Sequence, residues 1–131
     1  MPSVLVEVRC EHGKQREIAL MEAVHSALIE AFKIPVTDRT VHLVVHEPHR
    51  MMYFPTLSQP ELFTQISIDA FAGRSLEAKR NLYRAIVNNL EGLGIPKSHV
   101  KIVLREVPKE NWGIRGGQAG SDVDLGFKVE V

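Results

Sequence analysis

The sequence predicts an α/β fold made of two strand–helix–strand units joined in one chain. The chain has 131 residues, 44% of them apolar, which suffices for a single domain with a buried core. Apolar residues alternate with other residues in several short segments, a pattern typical of strands, and recur at helical steps in longer ones. The order of these segments in residues 1–61 is repeated in residues 62–131. We therefore expect a single domain, residues 1–131, with an internal repeat.

The first unit begins with a predicted strand at residues 3–8, where valines alternate with Leu5 and Glu7. A helix is predicted to begin near Gly13-Lys14. It should end before Ile34-Pro35, because proline disfavours helical backbone in the residue that precedes it. Its apolar face consists of Ile18, Met21, Val24, Leu28 and Phe32. The alternation of Val41, Leu43 and Val45 predicts a second strand.

A connection that contains three prolines follows over residues 47–61, and it is predicted to be a loop with a short extended piece at residues 51–54. The second unit then starts with an alternating strand at residues 64–70. Ser75 is a suitable N-cap for the next helix. Ile95-Pro96 should end this helix, and the alternation of residues 100–104 predicts the fourth strand.

Two short motifs align the halves. Gly13-Lys14 corresponds to Gly73-Arg74, and Ile34-Pro35 corresponds to Ile95-Pro96. Each strand–helix–strand unit forms a right-handed parallel pair, so two units give a four-stranded sheet with both helices on one face. Parallel sheets are normally covered on both faces, and we therefore expect other subunits to cover the second face. The alternation in residues 125–131 predicts one further strand that could pair with a neighbour's edge.

Composition and charge exclude several functions. Lys+Arg and Asp+Glu both number 16 and the pI is about 7.0, which argues against nucleic-acid or membrane-surface binding but allows a local pocket for a small anion. No apolar run approaches the roughly 20 residues of a membrane span, and the N-terminal segment lacks a secretory pattern, so we expect a cytoplasmic protein. Cys10 is the single cysteine, and His42 and His46 would lie about 13 Å apart along a strand. We expect no metal site.

Four segments resemble the tautomerase superfamily. Met1-Pro2 before a strand matches its N-terminal proline, which is exposed when the initiator methionine is removed. A-G-R-S-L-E-A-K at residues 72–79 resembles the G-R-S-x-E-x-K segment of 4-oxalocrotonate tautomerase, and E-V-P-K-E-N-W-G-I-R-G-G at residues 106–117 resembles its closing segment. P-V-T-D-R at residues 35–39 resembles the P-x-x-D-R segment of malonate semialdehyde decarboxylases and their fused relatives. The resemblance implies a homotrimer of two-unit chains with pseudo-sixfold symmetry.

The resemblance also implies a cofactor-free site centred on Pro2. After removal of Met1, the ring nitrogen of Pro2 is a secondary amine, and a free α-amino group titrates near pH 7.7–8.0. Burial and a nearby cation lower such a pKa, so a neutral Pro2 could act as general base at neutral pH. By resemblance, Arg74 binds the substrate carboxylate and stabilises the developing enolate. The alternative for Arg74 is a solvated arginine at the start of a helix.

Three further residues are assigned by resemblance. Asp38 would orient water or hold the ammonium of Pro2, and the alternative is a turn residue paired with Arg39. Trp112 would form the aromatic wall of the substrate pocket, and the alternative is core or interface packing. Lys101 falls where the tautomerase carries an additional substrate-binding arginine.

The function implied first is an isomerase that interconverts the keto and enol forms of a small 2-oxo carboxylate. The second is a lyase similar to malonate semialdehyde decarboxylase, or a hydratase, in which Pro2 stays cationic and Asp38 handles water. The carboxylate Asp38 favours the second mechanism, because it would raise the pKa of the amine. A third possibility is a non-catalytic binding protein, since the superfamily includes the macrophage migration inhibitory factor.

Overall fold

A computed structural model describes residues 2–131, so the expected removal of Met1 lies outside the described residues. The main elements are β1 (Ser3–Val8), α1 (Lys14–Phe32), β2 (Val41–Val45), β3 (Thr64–Phe71), α2 (Leu76–Glu91) and β4 (Val100–Val107). A short hairpin follows, formed by β5 (Gly113–Ile114) and β6 (Gln118–Ala119). The predicted order of strands and helices is therefore confirmed. No helix in residues 2–131 combines the length and the apolar content needed to cross a bilayer.

The main sheet has four strands in the order β2-β1-β3-β4. β1 and β2 are parallel, as are β3 and β4, which confirms two strand–helix–strand units. The units join through β1 and β3, which run antiparallel with Ser3 opposite Asp69. Consequently the start of β1, the start of β2 and the end of β3 all lie at one edge of the sheet.

Both helices cover the same sheet face. Val4 and Val6 of β1 and Ile66 and Ile68 of β3 point to this face and are at most 1% exposed. The helices contribute further fully buried side chains, namely Leu20, Val24, Leu28, Leu82, Ile86 and Leu90. Each such burial contributes roughly 1.5–3 kcal/mol. The opposite face carries a more polar set, including the pair Asp69–Arg105, whose Nε–Oδ1 distance is 2.6 Å.

The helix boundaries follow from the residues predicted to set them. α1 ends at Phe32, and Lys33 adopts the left-handed conformation with φ 56° just before Ile34-Pro35. Ser75 caps α2, because its hydroxyl oxygen accepts from the N–H of Ala78 at 3.1 Å. Such a cap satisfies one of the free N–H groups in the first helical turn.

Two irregular segments form no strand within the described chain. In residues 125–131, Val129 is buried, and the carbonyl oxygen of Val131 accepts from the N–H of Ser75 at 2.9 Å. Within the chain, this segment packs against the start of α2, and its pairing with a neighbour's edge stays a prediction. Residues 51–54 likewise join no strand and lie between two single turns of 3-10 helix, Pro48–Arg50 and Pro60–Leu62.

Candidate functional site

The sheet topology brings three of the predicted site residues to one edge. Pro2 is buried immediately before β1, Asp38 precedes β2, and Arg74 follows β3. The N–H of Val4 donates to the carbonyl oxygen of Thr40 at 2.9 Å, which ties the start of β1 to the segment that carries Asp38. The antiparallel pairing of β1 with β3 brings the β3–α2 connection to the same edge.

Arg74 is the most constrained charged side chain of this edge. It is 7% exposed, and its Nη1 donates to the carbonyl oxygen of Phe71 at 3.2 Å. The guanidinium carbon lies 4.7 Å from the ring centroid of Phe32, a cation–π distance. Its buried Nε has no hydrogen-bond partner among residues 2–131. A guanidinium held in this way has a donor available for a carboxylate oxygen of a ligand.

Carboxylates surround Arg74. Burial is the largest influence on the pKa of Arg74 and lowers it, whereas Glu130, Asp38 and Glu106, in decreasing order, raise it. Glu130 belongs to the C-terminal segment, Asp38 to the connection before β2, and Glu106 to the end of β4. They oppose the loss of the positive charge that burial alone would favour.

Glu106 forms an ion pair with Lys79. Its carboxylate contacts the Nζ of Lys79 and lies 3.4 Å from the backbone N of Gly73, which donates to it. The hydrogen bond from Lys79 is the main reason that the pKa of Glu106 is below its usual value. Glu106 and Lys79 thus bracket the turn that carries Arg74.

Asp38 lies in a tight turn that is anchored to α1. Its N–H donates to the carbonyl oxygen of Pro35 at 3.0 Å, and its Oδ2 is buried. His25 of α1, 4% exposed, places Nε2 at 2.8 Å from the carbonyl oxygen of Val36, so this nitrogen carries the proton and donates. The other predicted partner, Arg39, forms its ion pair with Glu22 at 3.5 Å.

Trp112 does not contact Arg74 directly but is linked to it through Phe71. It stacks edge-to-face on Phe71 with centroids 5.0 Å apart, and its Nε1 donates to the carbonyl oxygen of Val107 at 3.2 Å. Gly120 makes this packing possible, because a Cβ there would lie 2.7 Å from the carbonyl oxygen of Lys109. Within one chain, Trp112 therefore supports Phe71, whose carbonyl oxygen holds Arg74.

Lys101 is not brought to this edge in the chain itself. It is exposed at the start of β4, opposite Gln65. Five strand positions separate it from Glu106, a distance of roughly 16 Å.

A cavity of about 400 Å³ lies next to the segment that carries Asp38. It opens between α1 and the start of β2, and its wall includes His25, Arg39, Thr40 and Val41. Arg74 does not belong to this wall. The cavity is therefore a recess beside the site. Among residues 2–131, no cluster of three or more His, Cys, Asp or Glu side chains is suited to a metal ion.

Glu130 and Glu106 are the charged neighbours of Arg74 that the sequence did not single out. Glu106 begins a segment assigned by resemblance, but its pairing with Lys79 is visible only when α2 packs beside β4. Glu130 sits in the alternating tail that was predicted to be a strand. No signal in the sequence places it near Arg74.

Comparison with known proteins gives the family. A family described as "Tautomerase enzyme" matches residues 38–115, which is more than half of the chain. A 2-hydroxymuconate tautomerase of Comamonas testosteroni is 42% identical over 48 residues, which cover 36% of this chain and 76% of that protein. A probable tautomerase of Ralstonia nicotianae is 33% identical over 52 residues, covering 39% of this chain and 74% of that protein.

Solved structures share the whole fold. A malonate semialdehyde decarboxylase has a TM-score of 0.82 and 23% identity, covering 93% of this chain and 99% of that chain. A second one, FG41 malonate semialdehyde decarboxylase, has a TM-score of 0.76 and 28% identity, covering 89% and 92%. Native fused 4-OT has a TM-score of 0.82 and 20% identity, covering 92% and 98%. The chain belongs to the tautomerase family, and it shares the two-unit fold of these solved structures.

Proposed function

We propose that this chain is a cofactor-free tautomerase that interconverts the keto and enol forms of a small 2-oxo carboxylate in the cytoplasm. Pro2, freed by removal of Met1, is the general base, and Arg74 binds the substrate carboxylate. Membership of the family and the names of the relatives support an isomerase. The observation that carries the proposal is the buried guanidinium of Arg74, with an unused Nε donor, at the sheet edge where the chain begins.

The proton transfer is balanced within the substrate. The nitrogen of Pro2 takes a proton from the carbon next to the ketone, the C–H electron pair becomes the C=C bond, and the carbonyl oxygen becomes an enolate. The Pro2 ammonium then gives this proton to that oxygen, which yields the enol and restores the neutral amine; in the reverse direction, Pro2 takes the proton from the enol oxygen and delivers it to the carbon. The cation of Arg74 stabilises the negative charge as it develops. Burial of Pro2 favours the neutral amine that this step needs.

A specific observation also supports a second candidate, a malonate semialdehyde decarboxylase-like or hydratase-like activity. Asp38 lies near enough to Arg74 to raise the pKa of the guanidinium. A carboxylate therefore lies at the same sheet edge as Pro2. The fold is that of two such decarboxylases, one of them 28% identical. In this mechanism Pro2 remains a cation and Asp38 activates water.

We propose that the active form is a homotrimer with pseudo-sixfold symmetry. Fused 4-OT proteins are described as trimers, and the sheet face opposite the helices offers a surface for subunit contact. Lys101 lies far from Arg74 of its own chain, so any role in substrate binding would be at the pocket of a neighbouring subunit. Trp112 is proposed to form the aromatic wall of the pocket, and its contact with Phe71, which neighbours Arg74 through a hydrogen bond, supports this role.

The test is a substrate panel with site variants. Phenylenolpyruvate, 2-hydroxymuconate and malonate semialdehyde are assayed with the wild-type protein, after intact mass has established whether Met1 is removed. Pro2→Ala should lower the main activity by about 100-fold or more, the usual contribution of a positioned acid–base group. Retention of full activity by Pro2→Ala with a native thermal melt would contradict the assignment. The pKa of the Pro2 amine, followed by NMR, separates the candidates: below neutral for the tautomerase, well above it for the decarboxylase.

A further inference from the structure

The β3–α2 turn, residues 72–75, carries Arg74 and is tied to β4 and to the C-terminal segment. Two of its backbone N–H groups donate to backbone carbonyl oxygens outside the turn, namely Ala72 to Val107 at 3.2 Å and Ser75 to Val131 at 2.9 Å. A third, the N–H of Gly73, donates to the carboxylate of Glu106 at 3.4 Å. Glu106 is the side-chain acceptor among the three, so a substitution can remove its contact with the turn.

Gly73 is the residue of this turn with the greatest backbone freedom. Its φ is 130°, in the region that favours glycine, and a Cβ there would lie 3.3 Å from Cγ1 of Val129. Because glycine can adopt many other backbone angles, the hydrogen bond to Glu106 helps to select this conformation. Arg74 is the next residue, so a rotation at Gly73 displaces its whole side chain.

The guanidinium of Arg74 contacts two uncharged groups. Its Nη1 donates to the carbonyl oxygen of Phe71 at 3.2 Å, and its central carbon lies 4.7 Å from the ring centroid of Phe32. Neither contact fixes the direction of the guanidinium as a two-point pair with a carboxylate would. The direction in which the guanidinium faces a ligand therefore depends on the conformation of the turn.

Lys79, in the first turn of α2, orients the carboxylate of Glu106. The Nζ of Lys79 contacts Oε1 of Glu106, whereas Oε2 faces the N–H of Gly73, so one carboxylate bridges two donors. The side chains of Lys79 and Glu106 are only 22% and 35% exposed, which limits the screening of their attraction by solvent. The bridge joins β4, the β3–α2 turn and α2 on one side of Arg74.

We infer that Glu106 is a positioning residue: its carboxylate, oriented by Lys79, fixes the conformation of Gly73 and thereby aims the guanidinium of Arg74 at the substrate carboxylate. This deepens the proposed function, on which it rests for the role of Arg74. Glu106 acts through Arg74 and takes no part in proton transfer.

Crotonate and crotonamide form a matched pair of probes, because they have nearly the same shape and only crotonate carries a carboxylate for Arg74. Their dissociation constants are measured by NMR titration with wild type, Glu106→Asp, Glu106→Gln and the control Glu77→Asp. Glu77 lies in the first turn of α2 with 64% of its side chain exposed and pairs with Arg80. Glu77→Asp therefore controls for the shortening of an acidic side chain at the start of this helix.

The two Glu106 variants separate positioning from charge. Glu106→Asp keeps the negative charge but is one methylene shorter, so its carboxylate no longer bridges Lys79 and Gly73. Glu106→Gln keeps the length but leaves a single acceptor oxygen for the two donors. If Glu106 acted only as a nearby charge, Glu106→Asp would bind crotonate like wild type. Glu106→Gln would then bind crotonate more tightly, because a negative charge near the guanidinium is lost.

We expect both Glu106 variants to bind crotonate about three- to ten-fold more weakly than wild type, the equivalent of about one hydrogen bond. Glu77→Asp should bind crotonate like wild type, and the affinity for crotonamide should be the same in all four proteins. Unchanged crotonate binding by Glu106→Asp, tighter binding by Glu106→Gln, or an equal loss for crotonamide, each with a native thermal melt, would overturn the inference. Absence of crotonate binding by wild type would overturn it as well.

Failure of this inference and failure of the proposed function are distinguishable, because neither probe carries a 2-oxo or enol group to be interconverted. Weaker crotonate binding by both Glu106 variants, in a protein that turns over none of the panel substrates, would refute the proposed function alone. Full turnover of a panel substrate together with crotonate binding that is insensitive to both Glu106 substitutions would refute the positioning role alone.

Discussion

Replacement of Arg74 tests the centre of the site directly. The side chain is 7% exposed, donates to Phe71 and has a free Nε, so a bound carboxylate can accept charge-assisted hydrogen bonds from it. Each such bond is worth about 1.5–3 kcal/mol, and two give about 3–6 kcal/mol. Arg74→Ala should therefore lower kcat/KM for a carboxylate substrate by roughly 100- to 10,000-fold, since 1.4 kcal/mol is tenfold.

Arg74→Lys separates charge from geometry. Lysine keeps the cation but loses the planar fork and the cation–π contact with Phe32. Arg74→Lys should therefore lose about half as much binding free energy for the carboxylate as Arg74→Ala loses. Arg80→Ala is the matched control, because Arg80 lies on α2, the helix that follows Arg74, with 57% of its side chain exposed, and pairs with Glu77. Steady-state kinetics with the panel substrate that is turned over fastest provide the assay. Equal kcat/KM for Arg74→Ala and Arg80→Ala, with native melts for both, would refute the reasoning.

Three further predictions concern stability. Gly120→Ala should cost about 1–3 kcal/mol in urea unfolding, because its Cβ would lie 2.7 Å from the carbonyl oxygen of Lys109; an unchanged midpoint would contradict the packing around Trp112. Leu82→Ala, at a fully buried position, should cost about 2–5 kcal/mol, whereas Leu76→Ala, at a position 59% exposed, should stay within about 0.5 kcal/mol; similar losses would argue against this core. Glu106, whose pKa is lowered chiefly by the hydrogen bond from Lys79, contributes stability above its unfolded pKa of about 4.5 that is lost as the pH falls through its lower folded value. Glu106→Gln should consequently lose less stability than wild type between pH 7 and pH 3, measured by thermal melts, and an identical pH slope would count against the pairing.

The sequence alone determined the elements and their order. Apolar periodicity identified the main strands and helices, and the boundary signals Ser75 and Ile34-Pro35 lie where the structure begins α2 and ends α1. These signals are local, because they depend on backbone preferences and on the spacing of side chains within one segment. The internal repeat added the pairing of strands within each unit, and the motifs at Pro2 and Arg74 identified the family.

Only the tertiary structure decided what surrounds Arg74. The antiparallel junction of β1 with β3 sets which ends of the elements meet, and it brings Pro2 to the edge of Arg74 while leaving Lys101 at the other end of its strand. Residues 125–131 also show what the sequence cannot decide. Their apolar alternation is the local pattern of a strand, yet Val129 is buried against the β3–α2 turn, and the segment joins no sheet of this chain. Periodicity reports which side chains are buried, whereas the partner that buries them depends on contacts between segments far apart in the chain, and these form only when the whole domain is packed.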